Sequence, residues 1–120
     1  MIECTEQYIQ EFLSVLYKCW SIHSSSKWTL ANPARGQCGV TSLVVYDFFG
    51  GDILKTRTPE GWHYYNRIGN KSVDFTQSQF ALNPIYLDIL SNREEAFSDT
   101  NMEQYSYLKN RIIQYTKEHY

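Results

Sequence analysis

The sequence predicts an α+β fold, and three observations predict it. Apolar residues recur every three or four positions near both ends of the chain. A central apolar segment is stopped by paired glycines. The stretch after those glycines breaks into short aromatic-rich pieces separated by turn residues. Helices at the start, middle and end of the chain around a small antiparallel sheet accommodate all three. At 120 residues the chain is expected to form a single domain, 1–120, with one modest core. Ten tyrosines, six phenylalanines and three tryptophans supply large rigid side chains to fill it.

The first helix is expected from Thr5 to about Trp20. Ile9, Phe12, Leu13, Leu16, Cys19 and Trp20 form its apolar stripe, the first turn is acidic, and Thr5 is the cap. Ser24-Ser25-Ser26-Lys27 breaks that pattern, and Trp28 to Gly36 reads as an irregular loop, with His23 solvated at its edge. The central helix covers Cys38 to Phe49 and stops at Gly50-Gly51. Asp52–Arg57 is a possible strand, Thr58-Pro59-Glu60-Gly61 a turn, Trp62–Ile68 a second strand, and Ser72–Phe75 its partner across the hairpin signal Gly69-Asn70-Lys71. Thr76 to Gln79 has capping-box form and opens a helical turn. Ile85–Leu90 is either an edge strand or a short buried segment, and Ser91–Asp99 is read as a solvated connection with one helical turn. The last helix starts at a Thr100–Glu103 capping box and carries an apolar stripe of Met102, Tyr105, Leu108, Ile112 and Tyr115.

Composition narrows the function. A net charge of −2, with no basic cluster interleaved with aromatics, argues against nucleic-acid binding. The three cysteines at 4, 19 and 38 have no C-x-x-C pair and no histidines at ligand spacing. Neither a disulfide scaffold nor a metal site is expected. Without a leader-like start or an apolar run of about 20 residues, no membrane partner is expected and the location is read as cytoplasmic, with reduced thiols.

Cys38 is the candidate nucleophile. In the first turn of a helix, free N–H groups and the helix dipole favour a thiolate, although a lone cysteine on an apolar helix is commonly a small core residue. A nucleophile of this kind needs a base and a group that orients the base. His63 and Asp74 are the candidates. With a two-residue loop at Gly69-Asn70, Ile68 faces Lys71 and Tyr65 faces Asp74, which puts His63 diagonal to Asp74 on one sheet face. Diagonal neighbours have Cβ atoms about 7 Å apart, within reach of imidazole and carboxylate. Cys19 falls on a helix stripe and reads as core.

These residues resemble a known family. Gly36-Gln37-Cys38, His63-Tyr64-Tyr65-Asn66 and Asp74-Phe75-Thr76 are similar, in that order, to the nucleophile, histidine and aspartate motifs of transglutaminases. The resemblance covers residues 36 to 76, and Gly39 stands where those enzymes usually carry an aromatic residue. Nearly the full length, including Ser26-Lys27-Trp28, the lead-in to Cys38 and Ser91–Phe97, resembles the YunG family of small bacterial proteins of unassigned function. The first resemblance implies a minimal papain-like core, in which the helix bearing Cys38 packs on the sheet bearing His63 and Asp74.

The expected function is cysteine-dependent acyl transfer on a peptide or small amide, as hydrolysis or deamidation, without a cofactor. Cys38 attacks, His63 serves as base and then acid, and Asp74 orients His63. The backbone N–H of Cys38 holds the oxyanion, with Gln37 or Trp28 as the second donor, and Trp28, Trp62 and Tyr64 line an aromatic pocket. The competing expectation is a non-catalytic binding domain on the same scaffold, in which His63 and Asp74 are only a buried polar pair. A homodimer through the tyrosine-rich last helix is compatible with either.

Overall fold

A computed structural model describes residues 6–120; Thr5 and Cys4 lie outside the described residues. Helix α1 (Glu6–Cys19) buries Leu16 and Cys19, as its stripe predicts, and also Val15, which lies outside that stripe. Trp20 follows it into the core and donates its indole N–H to Thr41 Oγ1 at 2.9 Å. That bond ties α1 to α2 (Cys38–Phe49), in which all residues from 38 to 45 are buried. The first two turns of α2 are covered on all sides and need no polar face, which is why the sequence there is mostly apolar, with Thr41 and Ser42 buried among the apolar residues. Phe12 of α1 packs edge-on against Phe49 and Phe75, with centroids 5.0 and 5.4 Å away.

Gly50 and Gly51 turn the chain with positive φ angles of 74° and 77°. At Gly51 a side chain would also meet the Arg67 carbonyl oxygen at 2.1 Å, so only glycine fits. The sheet follows as β1 (Asp52–Thr58), β2 (Gly61–Ile68), β3 (Lys71–Val73) and the short β4 (Ile89–Leu90), in the antiparallel order β3-β2-β1-β4. Ile68 pairs with Lys71, so the Gly69-Asn70 loop has two residues and the expected register holds. Strand β3 stops two residues before the predicted end. Asp74 turns back to accept from the backbone N–H and hydroxyl of Thr76, each at 3.1 Å, which closes an Asx turn in place of a ladder.

The 85–90 segment forms a strand only at its end, Ile89–Leu90, after a left-handed turn at Asp88 with φ 53°. The Thr56 hydroxyl donates to the Ile85 carbonyl at 2.6 Å and accepts from the Leu87 N–H at 3.1 Å, doing the work of a backbone ladder. The 91–99 segment contains the helical turn expected of it but is not simply solvated. Residues Arg93–Phe97 form helix α3, capped by Asn92, whose side chain accepts from the Glu95 N–H at 2.9 Å, and Ala96 is fully buried in a cluster with Cys38 and Tyr64. Helix α4 (Met102–His119) is capped by Asn101 rather than Thr100. Asn101 Oδ1 accepts from the Gln104 N–H at 2.8 Å, while the Thr100 hydroxyl turns to the Gln104 side chain. Leu108 and Ile112 carry the buried stripe, and Met102 is exposed. No helix of the described residues is long and apolar enough to cross a membrane.

Asp47 near the end of α2 binds Arg93 of α3 and both Tyr105 and Lys109 of α4. One carboxylate therefore joins three helices. Removing it leaves two cations facing each other over a tyrosine hydroxyl. Asp47→Ala is expected to lower stability by about 1–2 kcal/mol, the cations being partly exposed and screened. A urea titration reads this as a lower midpoint with an unchanged slope.

Candidate active site

Cys38 is the first residue of α2, and its preceding residue, Gln37, provides no side-chain cap. The thiol is 8% exposed and lines a cavity of about 300 Å³ whose walls also include His63, Trp62, Lys27 and Asp99. The backbone N–H of Tyr64 points its hydrogen bond at the Cys38 sulfur, so the strand carrying His63 runs directly beside the thiol. Asn66, on the same strand, donates its side-chain amide to the Ser42 carbonyl of α2 at 3.0 Å. That buried bond sets the helix against the strand.

His63 Nε2 lies 2.6 Å from Asp74 Oδ2, with side chains 2% and 6% exposed. The same carboxylate accepts from the Tyr86 hydroxyl at 2.7 Å and twice from Thr76. Phe80 stands edge-on to the imidazole at 4.7 Å and Tyr65 stacks on it at 5.9 Å. With Nε2 engaged by Asp74, a proton exchanged with the cavity has to pass through Nδ1. Asp74 is not part of the cavity wall and acts there through His63.

Asp99 is the residue that sequence reading missed. Its Oδ2 atom accepts from the Cys38 thiol at 3.4 Å and from the Gly39 N–H at 3.1 Å, so it caps α2 from the link between α3 and α4. The reason Gly39 has no side chain follows: a Cβ there would lie 2.6 Å from Asp99 Oδ2, 2.7 Å from Asp99 Cβ and 3.0 Å from the Ala96 carbonyl oxygen. The one available signal was this glycine in place of an aromatic residue. It says that something approaches closely and does not say what.

The thiolate expected at the helix start is not the resting state. Burial first, and then the Asp99 charge, push the Cys38 thiol above its ordinary value, outweighing the Tyr64 N–H that favours the anion. Burial also raises the Asp99 carboxyl above the usual carboxylate range, against the lowering effects of Cys38, the Gly39 N–H, Lys27 and His63. Cys19 is a core residue as predicted, and burial raises its thiol to about 11.

The other predicted residues scatter. Trp62 lines the cavity, with Lys55 4.4 Å and Arg57 4.9 Å from its ring centroids. Trp28 is packed against the larger core, and its indole nitrogen is buried without a hydrogen-bond partner. Gln37 is fully buried; its amide nitrogen reaches the Ser21 carbonyl at 3.5 Å and its oxygen is unpartnered. Tyr64 is buried beside Cys38 and outside the cavity wall. Cys38, His63, Trp62 and, through His63, Asp74 are therefore brought together, and Trp28, Gln37 and the Tyr64 side chain are not. Among the described residues no group of three His, Cys, Asp or Glu side chains is arranged to hold a metal ion.

The described residues form a small α+β protein of four α-helices and a four-stranded antiparallel sheet, in which a cysteine, a histidine backed by an aspartate, and a second aspartate converge on one cavity. The chain belongs to the YunG family. The family model, described as YunG protein, matches residues 8–117. A Bacillus subtilis (strain 168) protein titled "Uncharacterized protein YunG" is 56% identical over 95 residues, covering 79% of this chain and 83% of the relative. No solved structure matches the chain.

Two outcomes test this electrostatic picture. Replacing Asp99 by Asn removes the negative charge beside the sulfur, so Cys38 alkylation by iodoacetamide is expected to move to lower pH and to run roughly tenfold or more faster near neutrality. Peptide mass spectrometry with Cys19 as internal control reads it, and unchanged labelling would contradict the assignment. The thiols of Cys38 and Cys19 titrate higher in the folded than in the unfolded chain, whose thiols lie near 9.0. The folded state then holds more protons, so stability is expected to fall as the pH rises above that value. The urea midpoint should drop between about pH 8 and about pH 10, and drop less in Cys38→Ala.

Proposed function

We propose that the protein is a cysteine-dependent acyl-transfer enzyme with a minimal papain-like, transglutaminase-like core, acting on a peptide or small amide by hydrolysis or deamidation. The observation that carries this reading is the buried His63–Asp74 pair, 2.6 Å apart, opening through His63 onto the cavity that Cys38 lines. A nucleophile, a base and an orienting carboxylate on one cavity are what this chemistry requires.

In the reaction His63 takes the Cys38 proton and Sγ attacks the amide carbon. The C–N bond then breaks, the departing amine or ammonia takes the proton back from His63, and a thioester remains. Water, deprotonated by His63, cleaves the thioester and restores the thiol. In this reading Asp99 Oδ2, 3.1 Å from the Gly39 nitrogen and 3.4 Å from Sγ, takes the place of the substrate carbonyl oxygen, and the Gly39 N–H joins the Cys38 N–H expected to hold the oxyanion. Substrate binding therefore has to displace the Asp99 carboxylate, after which the Gly39 N–H is open to the developing oxyanion.

A second reading has its own support. The thiol that donates to Asp99 and titrates high suits a non-catalytic binding domain, in which the cysteine and the histidine–aspartate pair serve the interior alone.

A small activated ester separates the two. With p-nitrophenyl acetate, the enzyme reading expects a burst of nitrophenolate and an acetyl group on Cys38 found by peptide mass spectrometry. The burst should vanish in Cys38→Ala and slow by about a hundredfold or more in His63→Ala. An absent Cys38 adduct, or a His63→Ala rate equal to wild type, favours the binding domain.

A further inference from the structure

The Cys38 cavity does not end at its own walls. A larger cavity of about 590 Å³ adjoins it, and Arg35, Thr58, Glu60, Gln79 and Phe80 line both. The two adjoin along these residues, and together they reach from the thiol past the β1–β2 turn to the 80–85 segment.

The far part has a distinct chemistry. Leu82 and Ile85 line it while 87% and 80% exposed, an unusual condition for two large apolar side chains next to a pocket and one that a ligand would relieve. Pro84 and Phe80 extend the same apolar wall. Arg35 and Arg57 line the same cavity. The ion pairs among the described residues take up Arg67 and Arg93 but neither of these two. Glu60 is the one carboxylate in this cavity, against two guanidinium groups. Two guanidinium groups outside any ion pair, that of Arg57 lying over the Trp62 ring at 4.9 Å, next to exposed leucine and isoleucine match one ligand chemistry: an apolar side chain adjoining a carboxylate, which the planar guanidinium receives through paired hydrogen bonds.

Resting on the acyl-transfer reading of Cys38, we propose that the adjoining cavities bind the C-terminal end of a peptide, with an apolar last residue against Leu82, Pro84 and Ile85. Its free carboxylate lies at Arg35 and Arg57, and an amide upstream of that residue is presented to Cys38. Specificity is then set in the far cavity and chemistry in the near one. Asn83 and the side-chain oxygen of Asn32, whose nitrogen already donates to the Gln79 carbonyl at 3.3 Å, line the far cavity and supply polar groups for the peptide backbone between them.

The test separates binding from turnover. Full-length Cys38→Ala, with a far-ultraviolet circular dichroism spectrum matching wild type, is titrated by calorimetry with acetyl-Ala-Gln-Leu bearing a free carboxylate and with the same peptide as its C-terminal amide. The acid is expected to bind at least tenfold more tightly than the amide. Arg35→Gln combined with Arg57→Gln should bring the acid down to the level of the amide, and Leu82→Ser should weaken both. Equal binding of acid and amide overturns the proposal, as does a preference that survives in the arginine variant, or no binding of either peptide. The acetyl ester has no apolar residue and no carboxylate, so Cys38 acetylation succeeds or fails independently and the two readings can fall separately.

Discussion

Helix α2 begins inside the protein, and much else is arranged to make that possible. The N–H groups of a first helical turn need acceptors, and at a buried start water cannot provide them. Gln37 offers no cap, so the acceptor arrives from about 60 residues away in sequence as the Asp99 carboxylate on Gly39. To bring it there, α3 must lie across the start of α2 with Ala96 in the interior, and Gly39 must present bare backbone. The far end of α2 is fastened by the same two helices, through Asp47 to α3 and α4. Both ends of the helix that carries the thiol are thus held by charged contacts with the last third of the chain.

Strand β2 is the second fixed part of the site. Asn66 locks it to the Ser42 carbonyl, the Tyr64 N–H meets the sulfur, and His63 projects between Phe80 and Tyr65 toward Asp74. Four consecutive buried residues, His63 to Asn66, show that both faces of this strand are covered, one by α2 and the other by the 80–88 segment. The imidazole consequently has little freedom to turn. Its orientation is a product of packing as much as of the carboxylate behind it.

How much of this could be read from the sequence depended on whether the cause was local. The end of α2 at Phe49 and the register of His63 and Asp74 follow from neighbouring residues: a glycine pair stops the helix, and Gly69-Asn70 closes a two-residue hairpin. The choice between Thr100 and Asn101 as cap was also local but ambiguous, since each is followed at helical spacing by a suitable partner. Asp99 was out of reach. It lies in a polar link that resembles any solvated connection, and five residues of α3 are too few to display a helical period. The high-titrating thiol follows from the same gap, because dipole reasoning at a helix start omits a carboxylate delivered by tertiary contact. Trp28 and Gln37 were placed near the chemistry by their closeness in sequence to Cys38, whereas their side chains turn inward to the core.

The fit between Gly39 and Asp99 also bears on how such a sequence can drift. Any side chain at position 39 collides with the carboxylate and with the Cβ carbon that carries it, as well as crowding the Ala96 carbonyl. A substitution at 39 becomes sterically accessible only after position 99 has lost its side chain and α3 has moved outward. Loss of position 99 in turn leaves a buried N–H without its acceptor. Neither change is a neutral first step, so the two positions form a coupled pair in which divergence has to pass through a less stable intermediate.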